Sequence, residues 1–252
     1  MEYKSLIFTL AKRDLRVQYA QTFMGILWSA IQPLAGLVIF WFVFEKVFGG
    51  VDTGDVPYPL YVFSGLIAWY YFTFIMGHAG ASLINSQMLI KKVYFPRLVA
   101  PLSKVLVGSV EFMIALTIML LIMIIFGKIP TYTLLALPIF VLINIITGLS
   151  LGIWLSALTI RYRDLQHIIP YIVNYGMFLT PVFYPGNILP KQLIFANYFN
   201  PMAGSIALFR WILFDGPLPS VNYLAGFILA GLLLISGVFY FKKIEKRIAE
   251  YV

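Results

Sequence analysis

The chain contains no cysteine, so disulfides, thiolate metal ligands and cysteine nucleophiles are excluded by inventory, and nothing is said about redox compartment. Histidine occurs twice, as His78 and His167 in different segments, without the companion carboxylates at ligand spacing that a metal site needs. No metal ligand set is expected. No glycine-rich run ends in Gly-Lys-Ser or Gly-Lys-Thr, and the lone Gly127-Lys128 continues into Ile129-Pro130. A phosphate-cradling P-loop is therefore absent, and this chain cannot hydrolyse ATP by that route. Charge is scarce: 11% of the 252 residues are charged, against roughly 25% in an ordinary soluble domain. Low-complexity segments and inverted internal repeats are missing as well.

What fills the sequence instead is apolar. The hydrophobic fraction is 61% and the mean hydropathy +0.90, more apolar surface than a soluble core of this length can hide. In hydrocarbon every backbone polar group must be satisfied internally, which leaves helices or a closed barrel. Continuous apolar runs of about 20 residues favour helices. The expected fold is thus an all-α integral membrane protein in a single domain, 1–252. Residues 1–23 form an amphipathic helix at the cytoplasmic interface, 24–241 a bundle of six transmembrane helices, and 242–252 a cytoplasmic tail.

In the first segment Tyr3, Leu6, Ile7, Leu10 and Val17 share one face, and Lys12, Arg13 and Arg16 lie opposite, with Asp14 interrupting the apolar stripe. The charges follow the short apolar stretch Leu6–Ala11, the reverse of a cleavable signal, so this segment is expected to stay on the protein. Spans are predicted near 24–48, with a bend at Pro33, then near 60–84, 105–126, 134–160, 168–180 and 221–241. Residues 182–219 are punctured by Pro185, Gly186, Pro190, Asn197, Asn200 and Pro201. They read as two short re-entrant helices, 190–198 and 201–214, tolerable only where protein or a water-filled cavity covers the backbone. This topology places 14 of the 18 Lys and Arg on the cytoplasmic side, a strong positive-inside bias that accounts for the net charge of +8 without nucleic acid.

Few residues inside the spans carry chemistry. Glu111 is the clear ionisable one, and an ionised carboxylate at a helix centre costs about 3 kcal/mol on insertion scales. It either serves a pathway or lies about 10 Å from Lys104 along the helix and pairs with a polar group of a neighbouring chain. One carboxylate is thin support for ion coupling, so energy from a partner is the better reading. The basic stretch 85–104, with Tyr94-Phe95-Pro96-Arg97, carries the aromatic and Arg anchors of an interface, or is a solvated loop that fixes topology. Aromatic residues make up 17% of the chain and suit either stacking on sugar faces or an ordinary membrane-interface belt. Gly148 and Gly152 form a Gly-x-x-x-Gly that permits close helix approach.

Taken in order, Lys12-Arg13-Asp14-Leu15, Gly25-Ile26-Leu27-Trp28 with Gln32-Pro33, 92–101, Arg161-Tyr162-Arg163-Asp164-Leu165, Thr180-Pro181-Val182-Phe183-Tyr184, Asn200-Pro201-Met202 and Phe209-Arg210-Trp211 carry a resemblance. The whole chain resembles the permease subunit of polysaccharide-exporting ABC transporters, the Wzm-like O-antigen and teichoic acid exporters. That resemblance implies a homodimer in the bacterial inner membrane, both termini cytoplasmic, bound to two copies of a separate ATPase subunit. ATP and magnesium would belong to that partner, and no cofactor or catalytic residue to this chain. The cargo would be a polyprenyl-diphosphate-linked polysaccharide of the O-antigen type in lipopolysaccharide biosynthesis. The resemblance further implies ATPase contacts at Lys12, Arg13, Asp14, Lys91, Lys92, Tyr94, Phe95, Pro96 and Arg97. It implies glycan-channel aromatics at Trp28, Trp41, Tyr70, Tyr71, Phe74, Tyr175, Phe178 and Phe183. A periplasmic gate would involve Pro185, Gly186, Asn200, Pro201 and Arg210. Arg13, Arg16 and Arg97 suit a lipid diphosphate at the channel entrance, and positive-inside topology explains them equally well. Rival readings are a permease for a small lipid or drug, a structural subunit, and an intramembrane enzyme on lipid-linked sugar using Asp52, Asp55 or Asp215.

Overall fold

A computed structural model describes residues 2–20, 25–47, 49–87 and 95–245, and among them every regular element is helical. In chain order these are α1 (Glu2–Tyr19), α2 (Trp28–Trp41), α3 (Tyr58–Asn85), α4 (Val99–Ile125), α5 (Leu137–Arg161), α6 (Ile168–Leu179), α7 (Lys191–Tyr198), α8 (Pro201–Phe214) and α9 (Leu224–Glu245). Pro33 lies inside α2 and is buried, and α2 continues into a wider π-type winding over Phe42–Val47. Among the described residues, five helical stretches are long and apolar enough to cross a membrane: Trp28–Val47, Tyr58–Asn85, Val99–Ile125, Tyr132–Arg161 and Val221–Glu245.

The predicted fifth span corresponds to α6, which has only 12 residues and so covers about 18 Å at 1.5 Å per residue, short of the roughly 30 Å hydrocarbon core. α6 and the irregular segment after it nevertheless run antiparallel along α3. Ile169 stands against Gly77 and Gly80, Gly176 against Trp69, and the Val182 carbonyl against Gly65, while the Phe183 carbonyl meets Tyr58. From Gly80 to Tyr58 is about 33 Å of helix.

α3 is the axis of the bundle. In its most apolar window 78% of residues are buried inside the protein, against 11–33% for the other four spans. Its partners approach closely because small residues meet it. A methyl group at Gly148 of α5 would lie 2.8 Å from the Ile75 side chain, and one at Gly152 3.2 Å from the Met76 carbonyl. The Gly-x-x-x-Gly of the sequence is therefore a packing seam between α5 and α3. Polar residues buried along this axis bond inward: Asn144 donates to the Ala68 carbonyl at 3.2 Å, and Thr159 to the Gly80 carbonyl at 3.2 Å.

The start of α4 differs from the sequence reading. α4 starts at Val99 rather than near Val105, so Lys104 is a helical residue and not part of a loop. α1 does not lie alone: its successive turns contact α4 at Val99, Lys104 and Glu111 in the same order, so the two helices run side by side in parallel. α8 matches the predicted 201–214 and is capped by the Asn200 side chain, which accepts from the Met202 amide at 3.0 Å. Pro201 follows at the first helical position, where its missing N–H costs nothing, and Asp215 closes the helix in the left-handed conformation at φ 55°.

Candidate functional site

Polar contacts concentrate at the two ends of the bundle, with one cavity between them. At the end that carries α1, Leu10 packs with Phe95 and Val99, flanked by Leu6 and Ile7. One helical turn on, Asp14 forms a salt bridge with Lys104, whose side chain is 11% exposed. Arg13 also reaches Asp14, with Nε at 3.0 Å and Nη2 at 2.7 Å. A further turn on, Gln18 Nε2 donates to the Glu111 carboxylate at 2.6 Å, and Tyr19 Oη donates to the same carboxylate at 2.7 Å. Burial and the Glu111 carboxylate both push the Tyr19 phenol up from its ordinary value, so it stays protonated and remains a donor. The intramembrane carboxylate is thus paired with α1 of its own chain. The residue that interrupts the apolar stripe, Asp14, is the one turned toward α4.

Arg97 ties the start of α4 to the end of α9. Its amide donates to the Glu245 carboxylate at 2.8 Å, and its Nη1 donates to the Glu245 carbonyl at 2.6 Å. Of the expected ATPase contacts, Lys12 and Arg13 are exposed, Asp14 and Pro96 half-buried, and Phe95 buried. Lys91, Lys92 and Tyr94 lie outside the described residues. Of the trio suited to a diphosphate, Arg16 is exposed, while Arg13 and Arg97 are held by Asp14 and Glu245.

The expected channel aromatics divide. Tyr71 and Phe183 are core residues: Tyr71 stacks on Phe112 at 4.7 Å, and Phe183 on Phe40 at 4.7 Å. Trp28, Trp41, Tyr175 and Phe178 are exposed. Tyr70 and Phe74 line a cavity of about 220 Å³ between α2, α3 and α4, together with Gln32, His78 and Glu111.

At the opposite end, the irregular residues after α6 form a buried strap. Asn200 Nδ2 donates to Thr180 Oγ1 at 2.9 Å. Arg210 of α8 donates to the Pro181 carbonyl at 3.0 Å, the Val182 carbonyl at 2.6 Å and the Tyr61 hydroxyl at 2.7 Å. Its guanidinium lies 3.5 Å from the centre of the Tyr61 ring. Tyr58 then donates to the Phe183 carbonyl at 2.9 Å, and Tyr61 to the Tyr184 carbonyl at 3.4 Å. Four successive carbonyls that no helix satisfies each receive a side-chain donor, which is what irregular backbone inside a bundle requires. Sequence reading singled out Asn200, Pro201 and Arg210 but missed Tyr58, Tyr61 and Glu245. Phenols on an apolar helix carry no signal until their acceptors are known.

The ABC-2 type transporter family matches residues 5–214, which takes in α1, the bundle through α6, the strap and α8. The chain belongs to this family. Among relatives of the ABC-2 chain, the O-antigen export system permease protein RfbA of Myxococcus xanthus is 28% identical over 239 residues, covering 93% of this chain and 90% of its own. A protein of the same description from Klebsiella pneumoniae is 29% identical over 251 residues, 97% of this chain and 94% of its own. The polysialic acid transport protein KpsM of Escherichia coli is 24% identical over 241 residues, 92% and 91% respectively. With its family and its membrane-crossing helices, the chain is a multi-pass membrane protein.

Proposed function

We propose that this chain is the transmembrane subunit of an ATP-driven exporter that moves polyprenyl-diphosphate-linked polysaccharide of the O-antigen type across the bacterial inner membrane. The observation that carries the reading is similarity to O-antigen export permeases along nearly the whole chain, 93–97% of its length. Two permeases form the translocating unit, and two copies of a separate ATPase subunit supply the energy and hold ATP and magnesium. α6 and the strap together make a sixth crossing, a reading supported by their antiparallel run along about 33 Å of α3. Six crossings leave both termini in the cytoplasm, and α7 and α8 re-enter from the periplasmic side as the gate.

Force enters at α1, where the exposed Lys12 and Arg13 meet the ATPase together with Phe95, Pro96 and Arg97. The three-level seam of α1 on α4 then transmits any displacement of α1 into a membrane span. Arg97 carries displacement at the start of α4 to α9 through Glu245. The exposed aromatics Trp28, Trp41, Tyr175 and Phe178 belong to the surface that faces the glycan, where rings stack on sugar faces.

The deciding experiment is co-purification with the ATPase encoded nearest to this chain, followed by ATPase assay with and without polyprenyl-linked glycan. A stable complex whose hydrolysis rate responds to the glycan is expected. A partner indifferent to lipid-linked glycans but stimulated by small lipids would replace this reading with export of a small substrate, and no ATPase partner would turn it to an intramembrane enzyme acting on lipid-linked sugar.

A further inference from the structure

Beside the strap lies a cavity of about 640 Å³, within the roughly 300–1,000 Å³ typical of small-molecule sites. Its walls come from five separate parts of the chain: Asp52 in the loop between α2 and α3, Tyr61 of α3, Gly186 after the strap, Tyr198 at the end of α7 and Tyr223 just before α9. The Tyr198 and Tyr223 rings stand edge to face, 5.3 Å between centroids at 75°, so each fixes the other's orientation. Asp52 accepts the Gly54 amide through Oδ1 at 3.0 Å, which holds its carboxylate at the rim.

We infer that this cavity is a carbohydrate subsite at the outer mouth of the protein, taking one or two sugar rings that are neutral or carry an amino group. The inference rests on the export reading above and adds where the emerging glycan is held and which sugars the protein tolerates there. Phenol rings offer apolar faces for the C–H faces of a pyranose and hydroxyls for its edge, while a carboxylate accepts hydroxyl or ammonium protons in the stronger, charge-assisted form. Among the described residues no Lys or Arg lines the cavity. Arg210, behind Tyr61, directs its hydrogen bonds to that phenol and to the strap. Among the described lining residues, a uronate or phosphorylated sugar would meet the Asp52 carboxylate without a counter-charge. Tyr61 is shared between the cavity floor and the seat of Arg210, so an occupied subsite bears directly on the residue that holds the strap.

Saturation-transfer NMR on the full chain with its ATPase in nanodiscs tests this, using a glucose trisaccharide, an N-acetylglucosamine trisaccharide and a galacturonate trisaccharide as probes. The neutral probes are expected to bind at least tenfold more tightly than galacturonate. Asp52→Asn and Tyr198→Ala are each expected to weaken the neutral probes about tenfold, the size of a lost charge-assisted hydrogen bond or aromatic anchor. Asp52→Asn, on an exposed loop, should also narrow the gap to galacturonate. Tyr198→Phe, which keeps the ring, controls for altered packing and should lose less than Tyr198→Ala. Neutral probes that fail to bind, that bind no better than galacturonate, or whose binding ignores both Asp52→Asn and Tyr198→Ala would overturn the subsite. ATPase stimulation by lipid-linked glycan in the same nanodiscs separates the two failures. With stimulation intact only the subsite is lost, whereas no response to any glycan removes the export reading as well.

Discussion

Arg210 directs its guanidinium at neutral acceptors, two strap carbonyls and the backbone and hydroxyl of Tyr61. A planar fork with five donors can serve several acceptors at fixed angles, which an ammonium on a flexible stem cannot. Arg210→Met would leave the Pro181 and Val182 carbonyls buried without donors. Its expected cost is about 3 kcal/mol, the scale of two hydrogen bonds from a charged group. Arg210→Lys should recover part of that. Unfolding of the detergent-solubilised protein by titrated SDS measures both, and equal midpoints for wild type and Arg210→Met would remove the strap role. Sequence reading could mark Arg210 as a rare cation in an apolar helix. It could not name the acceptors, because carbonyls are present at every residue and only folding decides which ones lack a helical partner.

At the scale of the element, α1 is an amphipathic helix whose one misplaced residue proves to be its attachment point. Asp14 meets Lys104, the residue that the sequence reading left in a loop. Both side chains are largely shielded from water, at 16% and 11% exposed, so removing one partner leaves a poorly solvated charge. Asp14→Lys and Lys104→Asp are each expected to loosen α1, seen as faster proteolytic cleavage between α1 and α2. The double exchange should restore protection, with a coupling of about 1–2 kcal/mol. Strictly additive effects would mean that the two residues act apart. Glu111 fits the same seam. The sequence flagged it because ionised groups are costly in a span, and its relief by Gln18 and Tyr19 of the same chain came into view only when α1 was seen running alongside α4.

For the whole molecule, crossing number decides sidedness: six crossings put residues before α2 and after α9 on one side, and five put them on opposite sides. The absence of cysteine makes the test direct, because a single introduced thiol has no native competitor. Ser5→Cys, Leu218→Cys and Lys243→Cys place one in turn at exposed positions. A membrane-impermeant maleimide on intact spheroplasts is expected to label Leu218→Cys alone, with the other two labelled after permeabilisation. Labelling of Lys243→Cys from outside would reduce the count to five. The sequence determined by itself that the chain is helical and membrane-embedded, because hydrocarbon leaves a long apolar run no other way to satisfy its backbone. It also marked the breaks at 127–130 and 185–190, since Pro and Gly act through local dihedral angles. Only the tertiary structure decided which span is the buried axis, which aromatics are core and which exposed, and where Glu111, Lys104 and Arg210 find their partners. Lipid and protein interior are equally apolar, so a span's composition does not reveal which of the two it faces, and long-range polar pairs exist only once the helices have packed.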